Sequence, residues 1–166
     1  MNHYLIKPMQ TKEEMQGKAY VHYQSWQETY AGLIDSRYLE SVTLDKCTEI
    51  ARRYPDGILV AKEGETVIGF AGYGTYRDAS QKEMGEIFSL YVLAAYHGRR
   101  VGYELVNAAL AELLNDKKIA VWVLDGNEKA IRFYERYGFR FDGVKEEICL
   151  GAPRIQRRMI YERPAR

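Results

Sequence analysis

The sequence predicts a single α/β domain over residues 1–166, a mixed sheet with helices on both faces. Three observations lead there. β-rich runs and helical periodicity interleave in the order β-α-α-α-β-β-β-α-β-α-β-β, which favours one sheet covered by helices. A strand–helix–strand unit in the middle is flanked by runs that read as antiparallel pairs. The length of 166 residues also suits one domain of roughly 100–200. No repeat, low-complexity stretch or linker divides the chain.

The elements follow in order. His3 to Lys7 is a short first strand. Thr11 with Glu14 three residues later forms a capping-box pattern that opens a helix reaching about Tyr30, stopped by Gly32. Tyr20, Tyr23, Trp26 or Gln27, and Tyr30 recur at helical spacing, so aromatics are expected along one side. Ser36 to Val42 and Leu44 to Tyr54 read as two shorter helices, ended by Pro55-Asp56-Gly57. Ile58 to Ala61, the turn Glu63-Gly64-Glu65, and Thr66 to Tyr76 form a hairpin. Glu86 to Leu93 is apolar on both faces, as a central strand is. A helix to about Asn115 buries Val101, Leu105, Ala109 and Leu113. Ile119 to Leu124 is a buried strand. Asn127 caps a last helix with Ala130, Phe133, Tyr134 and Tyr137 on one stripe. Gly138 suits its left-handed end, with Phe139 as the hydrophobic contact. Phe139 to Ile148 and Ile155 to Tyr161 complete the sheet around an Ala152-Pro153 turn.

Composition narrows the function. The chain is 46% hydrophobic and 28% charged, with 24 basic and 23 acidic residues. That balance gives no reason to expect nucleic acid or an anionic membrane as partner. Ile119 to Leu124, the longest clean apolar run, is far below the ~18–20 residues of a membrane span. The N-terminal apolar run is too short for a signal peptide. A soluble, cytoplasmic protein is expected. Cys47, Cys149, His3, His22 and His97 have no metal-ligand spacing, so no metal is expected.

Two segments carry chemistry. The loop from Gly98 to Gly102 opens a helix, which leaves main-chain N–H groups free at a positive dipole end. Arg99 and Arg100 add two charges. It is neither a G-x-x-x-x-G-K-[ST] nor a G-x-G-x-x-G loop. Alone, it is equally a plain turn with solvated arginines. The second segment runs from Asn127 to Phe139; alone, it reads as a cap, a core tyrosine and a helix end.

Taken together, in this order and separation, the two segments resemble the GNAT superfamily of N-acetyltransferases. Its cofactor loop follows Q/R-x-x-G-x-G/A after a central strand, and its next helix follows N-x-x-A-x-x-x-Y-x-x-x-G-F. Asn127, Ala130, Tyr134, Gly138 and Phe139 match the second pattern position for position. In the loop Gly102 matches and Gly98 is a common extra, while His97 stands where Gln or Arg is usual and Arg100 where the first motif glycine is usual. Trp26, Tyr30, Gly32 and Tyr38-Leu39 look like a poorly characterised bacterial branch.

The resemblance implies a mostly antiparallel sheet of six to seven strands whose central parallel pair splays, with acetyl-CoA in the gap. Main-chain groups of Leu90, Tyr91 and Val92 would hold the pantetheine arm, and one of those N–H groups would polarise the thioester carbonyl. The pyrophosphate would rest on Gly98, Arg99, Arg100, Val101, Gly102 and Tyr103, with His97 at the loop entrance and Asn127 on the arm. Arg100 is expected in ordinary helical conformation, because positive φ disfavours side chains. Tyr134 would donate a proton to the departing thiolate. Glu86, eleven residues before His97, resembles the strand glutamate that serves as base in the histone-acetylating branch. Where the ribosomal-protein branch carries a glutamate, five residues before the Asn, this chain has Trp122. Trp26, Tyr30 and Tyr73 would face the acceptor, with Tyr23 a secondary candidate, and aromatic walls suit a cationic or apolar amine.

The implied reaction is direct acetyl transfer to a small-molecule or peptide amine, without metal; a homodimer is compatible. The alternatives are an acetyl-CoA-binding module without catalysis and an unrelated nucleotide-binding domain. Replacing Gly102 with Asp sets a carboxylate in the anion nest, so Gly102→Asp is expected to weaken acetyl-CoA binding about tenfold or more in a calorimetric titration. Unchanged affinity would remove the nest assignment.

Overall fold

A computed structural model describes residues 3–165. The chain runs β1 (Leu5–Pro8), α1 (Lys12–Tyr30), α2 (Ser36–Ser41), α3 (Leu44–Arg53), β2 (Ile58–Glu63), β3 (Thr66–Thr75), β4 (Met84–Val92), α4 (Val101–Glu112), β5 (Lys118–Leu124), α5 (Glu128–Tyr137), β6 (Arg140–Cys149) and β7 (Pro153–Glu162), with a single 3-10 turn at Ala94–Tyr96. The start expected at His3 falls at Leu5 instead.

Local chemistry sets the ends of these elements. Thr11 and Glu14 make the reciprocal capping box of α1. Gly64 takes φ +60° at the turn between β2 and β3, a conformation open to glycine. Asn127 caps α5 by accepting the Ala130 N–H. Beyond α5, Gly138 has φ +124° and the Phe139 N–H donates to Tyr134 O, closing the helix end.

All seven strands form one sheet in the order β1-β2-β3-β4-β5-β7-β6. Every pairing is antiparallel except β4 with β5. One face carries α1, whose Val21 packs with Val60, Val67 and Phe70. The other carries α4, whose Val101, Leu105 and Ala109, with Leu113 just past its end, are buried in the main core with Ile68, Ile87, Ile131 and Phe139. Among the described residues no helix is long and apolar enough to cross a membrane.

The aromatic stripe expected on α1 divides. Tyr20 is exposed, Tyr23 packs toward Cys47 and Ala51 of α3, and Trp26 and Tyr30 pack with Ile34, Leu39 and Leu124. What α1 turns inward is partly polar: Glu14, Lys18 and Ser25 are buried. Glu14 accepts hydrogen bonds from Lys7 Nζ (2.7 Å), the Gln10 N–H (2.8 Å), the Thr11 N–H (3.2 Å) and Lys62 Nζ (3.3 Å). It thereby ties α1 to β1 and β2. Burial opposes its charge, but these donors prevail and hold its carboxyl down at about 2.

Glu14→Gln should therefore lower stability at pH 7 by about 1–3 kcal/mol in denaturant titrations. A depressed carboxyl contributes above its unfolded value of 4.5 and loses that contribution as pH falls toward about 2. The gap between wild type and variant should close over that window; a pH-independent gap would mean the charge is not the source.

Candidate active site

The site begins where the sheet opens. β4 and β5 share only three pairs, Met84 with Lys118, Gly85 with Ile119 and Glu86 with Ala120. Next to this junction β4 bulges. Gly72 pairs with Ser89 and Tyr73 with Ile87, leaving Phe88 without a partner on β3. A bulge bends and twists its strand, so the outer half of β4 swings off β5. The Leu93 N–H donates to Ile68 O on β3, so alternation turns main-chain groups of Leu90 and Val92 toward the opening and those of Tyr91 toward β3. The three residues expected as one row thus divide, with Tyr91 contributing its side chain.

At the far end of the opening, His97 Nε2–H donates to Val92 O (2.8 Å) and Lys129 Nζ donates to His97 Nδ1 (2.8 Å). These partners assign the imidazole tautomer and join the end of β4 to the start of α5.

Among the described residues, the N–H groups from Gly98 to Tyr103 have no partner in the chain. They gather at the start of the twelve-residue α4, an anion-binding arrangement. Gly98 has φ +77°. Gly102 has no positive φ, and a Cβ there would only reach ordinary contact with the Phe133 ring at 3.4 Å. Nothing in the chain itself demands glycine at 102, which fits a ligand approaching closely. Arg100 departs from expectation. Its backbone is left-handed, φ +64° and ψ 11°, so the loop keeps the geometry usual for glycine and carries the strain of a side chain there. The Arg100 guanidinium lies over the Tyr103 ring at 4.3 Å. Arg99 is committed to Glu63 at 2.6 Å. Asn127 uses Oδ1 for the Ala130 N–H (3.4 Å), leaving its amide Nδ2 for a ligand. This donor set fits a pyrophosphate-bearing cofactor.

Three phenols meet across the opening. The buried Tyr134 ring lies against Phe133 (5.2 Å) and Phe139 (5.3 Å), and burial, then Tyr30, pushes its hydroxyl well above the usual phenol range. Tyr30 Oη and Tyr91 Oη are 3.2 Å apart. Burial, then Tyr30 and also Tyr134, raises Tyr91. Trp26 meets Tyr30 edge-on at 4.7 Å. His22 lies parallel to Tyr91 at 6.2 Å and is held down at about 4 by burial and by Lys18. Trp26 and Tyr30 therefore come together as expected, but Tyr73 does not join them. Three residues beyond Phe70, which faces α1, it lies on the other face of the sheet among the main core. There burial, then Glu112 of α4, raises its phenol.

Glu86 occupies the last pair of the junction and is completely buried. It accepts from Arg77 Nε at 2.9 and 3.4 Å. Arg77 Nη1 reaches Glu146 on β6 at 3.2 Å, and the guanidinium lies 5.0 Å from the Trp122 ring centre. Gln156 of β7 donates to the same Glu146 oxygen. Burial raises the Glu86 carboxyl while Arg77 opposes that rise. Arg77, Phe88 and Glu146 escaped the sequence reading, because no spacing signals a bulge or a pair 69 positions apart. Phe88, 52% exposed, covers Gly74, where a Cβ would meet its ring at 2.9 Å. Among the described residues no group of three or more His, Cys, Asp or Glu could hold a metal.

A sheet opened at one parallel pair, with a helix start offering N–H groups beside the gap, defines a class of acyl-carrier-binding transferase folds. Residues 19–139 match the model of the acetyltransferase (GNAT) family, and the chain belongs to that family. It is 29% identical over 154 residues to the uncharacterized N-acetyltransferase YuaI of Bacillus subtilis, covering 85% of this chain and 88% of that one. To the spermine/spermidine N(1)-acetyltransferase of the same organism it is 32% identical over 114 residues, 64% of this chain and 73% of that one. The fold matches the crystal structure of PaiA N-acetyltransferase from Thermoplasma acidophilum in complex with coenzyme A, with TM-score 0.72, 22% identity, and 96% and 99% of the two chains covered.

Left-handed backbone costs an L-residue roughly 1–2 kcal/mol relative to glycine. Arg100→Gly should accordingly stabilise the protein by about 1 kcal/mol in chemical denaturation, after the greater freedom of glycine in the unfolded chain is offset. A destabilised variant would mean the stacking on Tyr103 outweighs the strain.

Proposed function

We propose that the protein is an acetyl-CoA-dependent N-acetyltransferase that transfers acetyl directly to a primary amine of a small molecule or peptide while both are bound. One observation carries this reading: an unpartnered run of main-chain donors and a buried phenol meet at the same opening in the sheet. Family membership and the named relatives support it.

Bound acetyl-CoA supplies an acetyl group activated as a thioester. The N–H groups of Gly98 to Tyr103, with Arg100, hold the pyrophosphate, and His97 buttresses the loop from Val92. Main-chain groups of Leu90 and Val92 and the Asn127 Nδ2 orient the arm. Trp26 and Tyr30 line the acceptor side. An alkylamine is protonated at neutral pH, with a reference pKa of about 10.4. Glu86 takes that proton, directly or through a water, and frees the nitrogen lone pair for the acetyl carbon. Burial strengthens Glu86 as a base, and Arg77 keeps it charged until then. Tyr134 gives its phenolic proton to the sulfur as the carbon–sulfur bond breaks, and the phenolate regains a proton from the nitrogen, which sheds its second one as the amide forms. The raised pKa of Tyr134 keeps the phenolic proton in place beforehand.

Tyr134→Phe should cut kcat tenfold or more with little change in acetyl-CoA affinity, as read by free-thiol release and calorimetry. An unchanged rate would remove Tyr134 from the reaction. Tight acetyl-CoA binding with no thiol release across polyamines, aminoglycosides, amino acids and peptides would replace the enzyme with a binding module.

A further inference from the structure

The Arg77 guanidinium sits in an environment that has the chemistry of a cation receptor. Glu86 offers a fully buried carboxylate, Glu146 a half-exposed one, and Trp122 an aromatic face. A charged carboxylate at the depth of Glu86 is costly unless a cation pairs with it, and in this structure Arg77 does so at 2.9 Å. That cation comes from a surface loop. Arg77 is 44% exposed, and beyond it Ser80, Gln81 and Lys82 donate main-chain hydrogen bonds only to Asp78 and Ser80 of the same loop. Releasing Arg77 therefore disturbs little else. The three charged groups also sum to one negative charge, so the pocket favours further positive charge even when Arg77 is in place.

We propose that Arg77 is a stand-in for the acceptor: Glu86, Glu146 and Trp122 form its ammonium subsite, and productive binding exchanges the guanidinium for a substrate cation. This rests on the acetyltransferase reading and names its substrate class. Two carboxylates left by one arginine call for two positive charges, which an alkyl diamine or polyamine carries and a monoamine does not. The reacting ammonium meets Glu86, which accepts its proton. The second ammonium stays on Glu146, with Trp122 beside it through a cation–π contact.

The test compares spermidine with propylamine as acceptors for wild type, Arg77→Gln and Glu146→Gln. Arg77→Gln should lower the KM for spermidine about fivefold and make the enzyme sensitive to competitive inhibition by guanidinium ion. Glu146→Gln should raise the KM for spermidine about tenfold and the KM for propylamine much less, so that the preference for spermidine falls severalfold. Arg77 is instead a fixed counter-ion, and the proposal falls, if Arg77→Gln loses activity that guanidinium restores or if both variants treat the two amines alike. Should Arg77→Gln fail to fold, Arg77→Lys keeps the charge on a weaker fork, and a smaller drop in spermidine KM is expected; an unchanged or higher one overturns the exchange. Calorimetric titration of spermidine into the CoA-loaded protein needs no turnover. Binding there without any acetylation would sink the enzymatic reading alone; acetylation of propylamine with no preference for spermidine would sink the subsite alone.

Discussion

The architecture depends on how briefly β4 and β5 stay together. Parallel neighbours normally satisfy each other's main-chain groups along their length. Here three residue pairs suffice, and the bulge at Phe88 takes the rest of β4 away. The fold thereby keeps a strand edge in its middle, where sheets ordinarily have none. The crossover through α4 delivers free N–H groups to the mouth of that opening, and the turn into α5 delivers Asn127 and Tyr134 from the opposite wall.

Around the opening the usual rules of a settled interior are relaxed. Among the described residues, His22 Nδ1, Ser25 Oγ, Trp26 Nε1 and Trp122 Nε1 are buried without a partner, although such atoms ordinarily find one. Three of the four lie on α1, and Trp122 stands beside the Arg77 clasp. Arg100 holds a conformation suited to glycine. Local conflicts of this kind concentrate where a protein meets a ligand; Glu83, left-handed at φ +58° at the joined end of β4 and β5, lies away from the gap.

Most of the fold was legible because its signals are local. The Thr11–Glu14 box, the Asn127 cap, the Gly138 helix end and the fourfold apolar stripe of α4 each lie within a dozen residues. The site was legible where a motif spans one loop or one helix, as for Gly98 to Gly102 and Asn127 to Phe139. Features that depend on geometry between elements were not. The face on which Tyr73 falls requires knowing that α1 covers Phe70. The link from Arg77 to Glu146 crosses from a loop to the far side of the sheet. The twist at Arg100 is imposed by a loop whose path the side chain itself disfavours, so its residue type pointed the other way.

The Tyr30–Tyr91 contact has one more consequence. Either oxygen can donate to the other, because a hydroxyl both gives and accepts. Rotating two O–H bonds reverses the direction of that bond without displacing any heavy atom. The gap is therefore lined by an amphoteric pair, able to meet a donor with a lone pair and an acceptor with a hydrogen. A rigid aromatic wall can in this way suit two molecules of opposite polarity in succession.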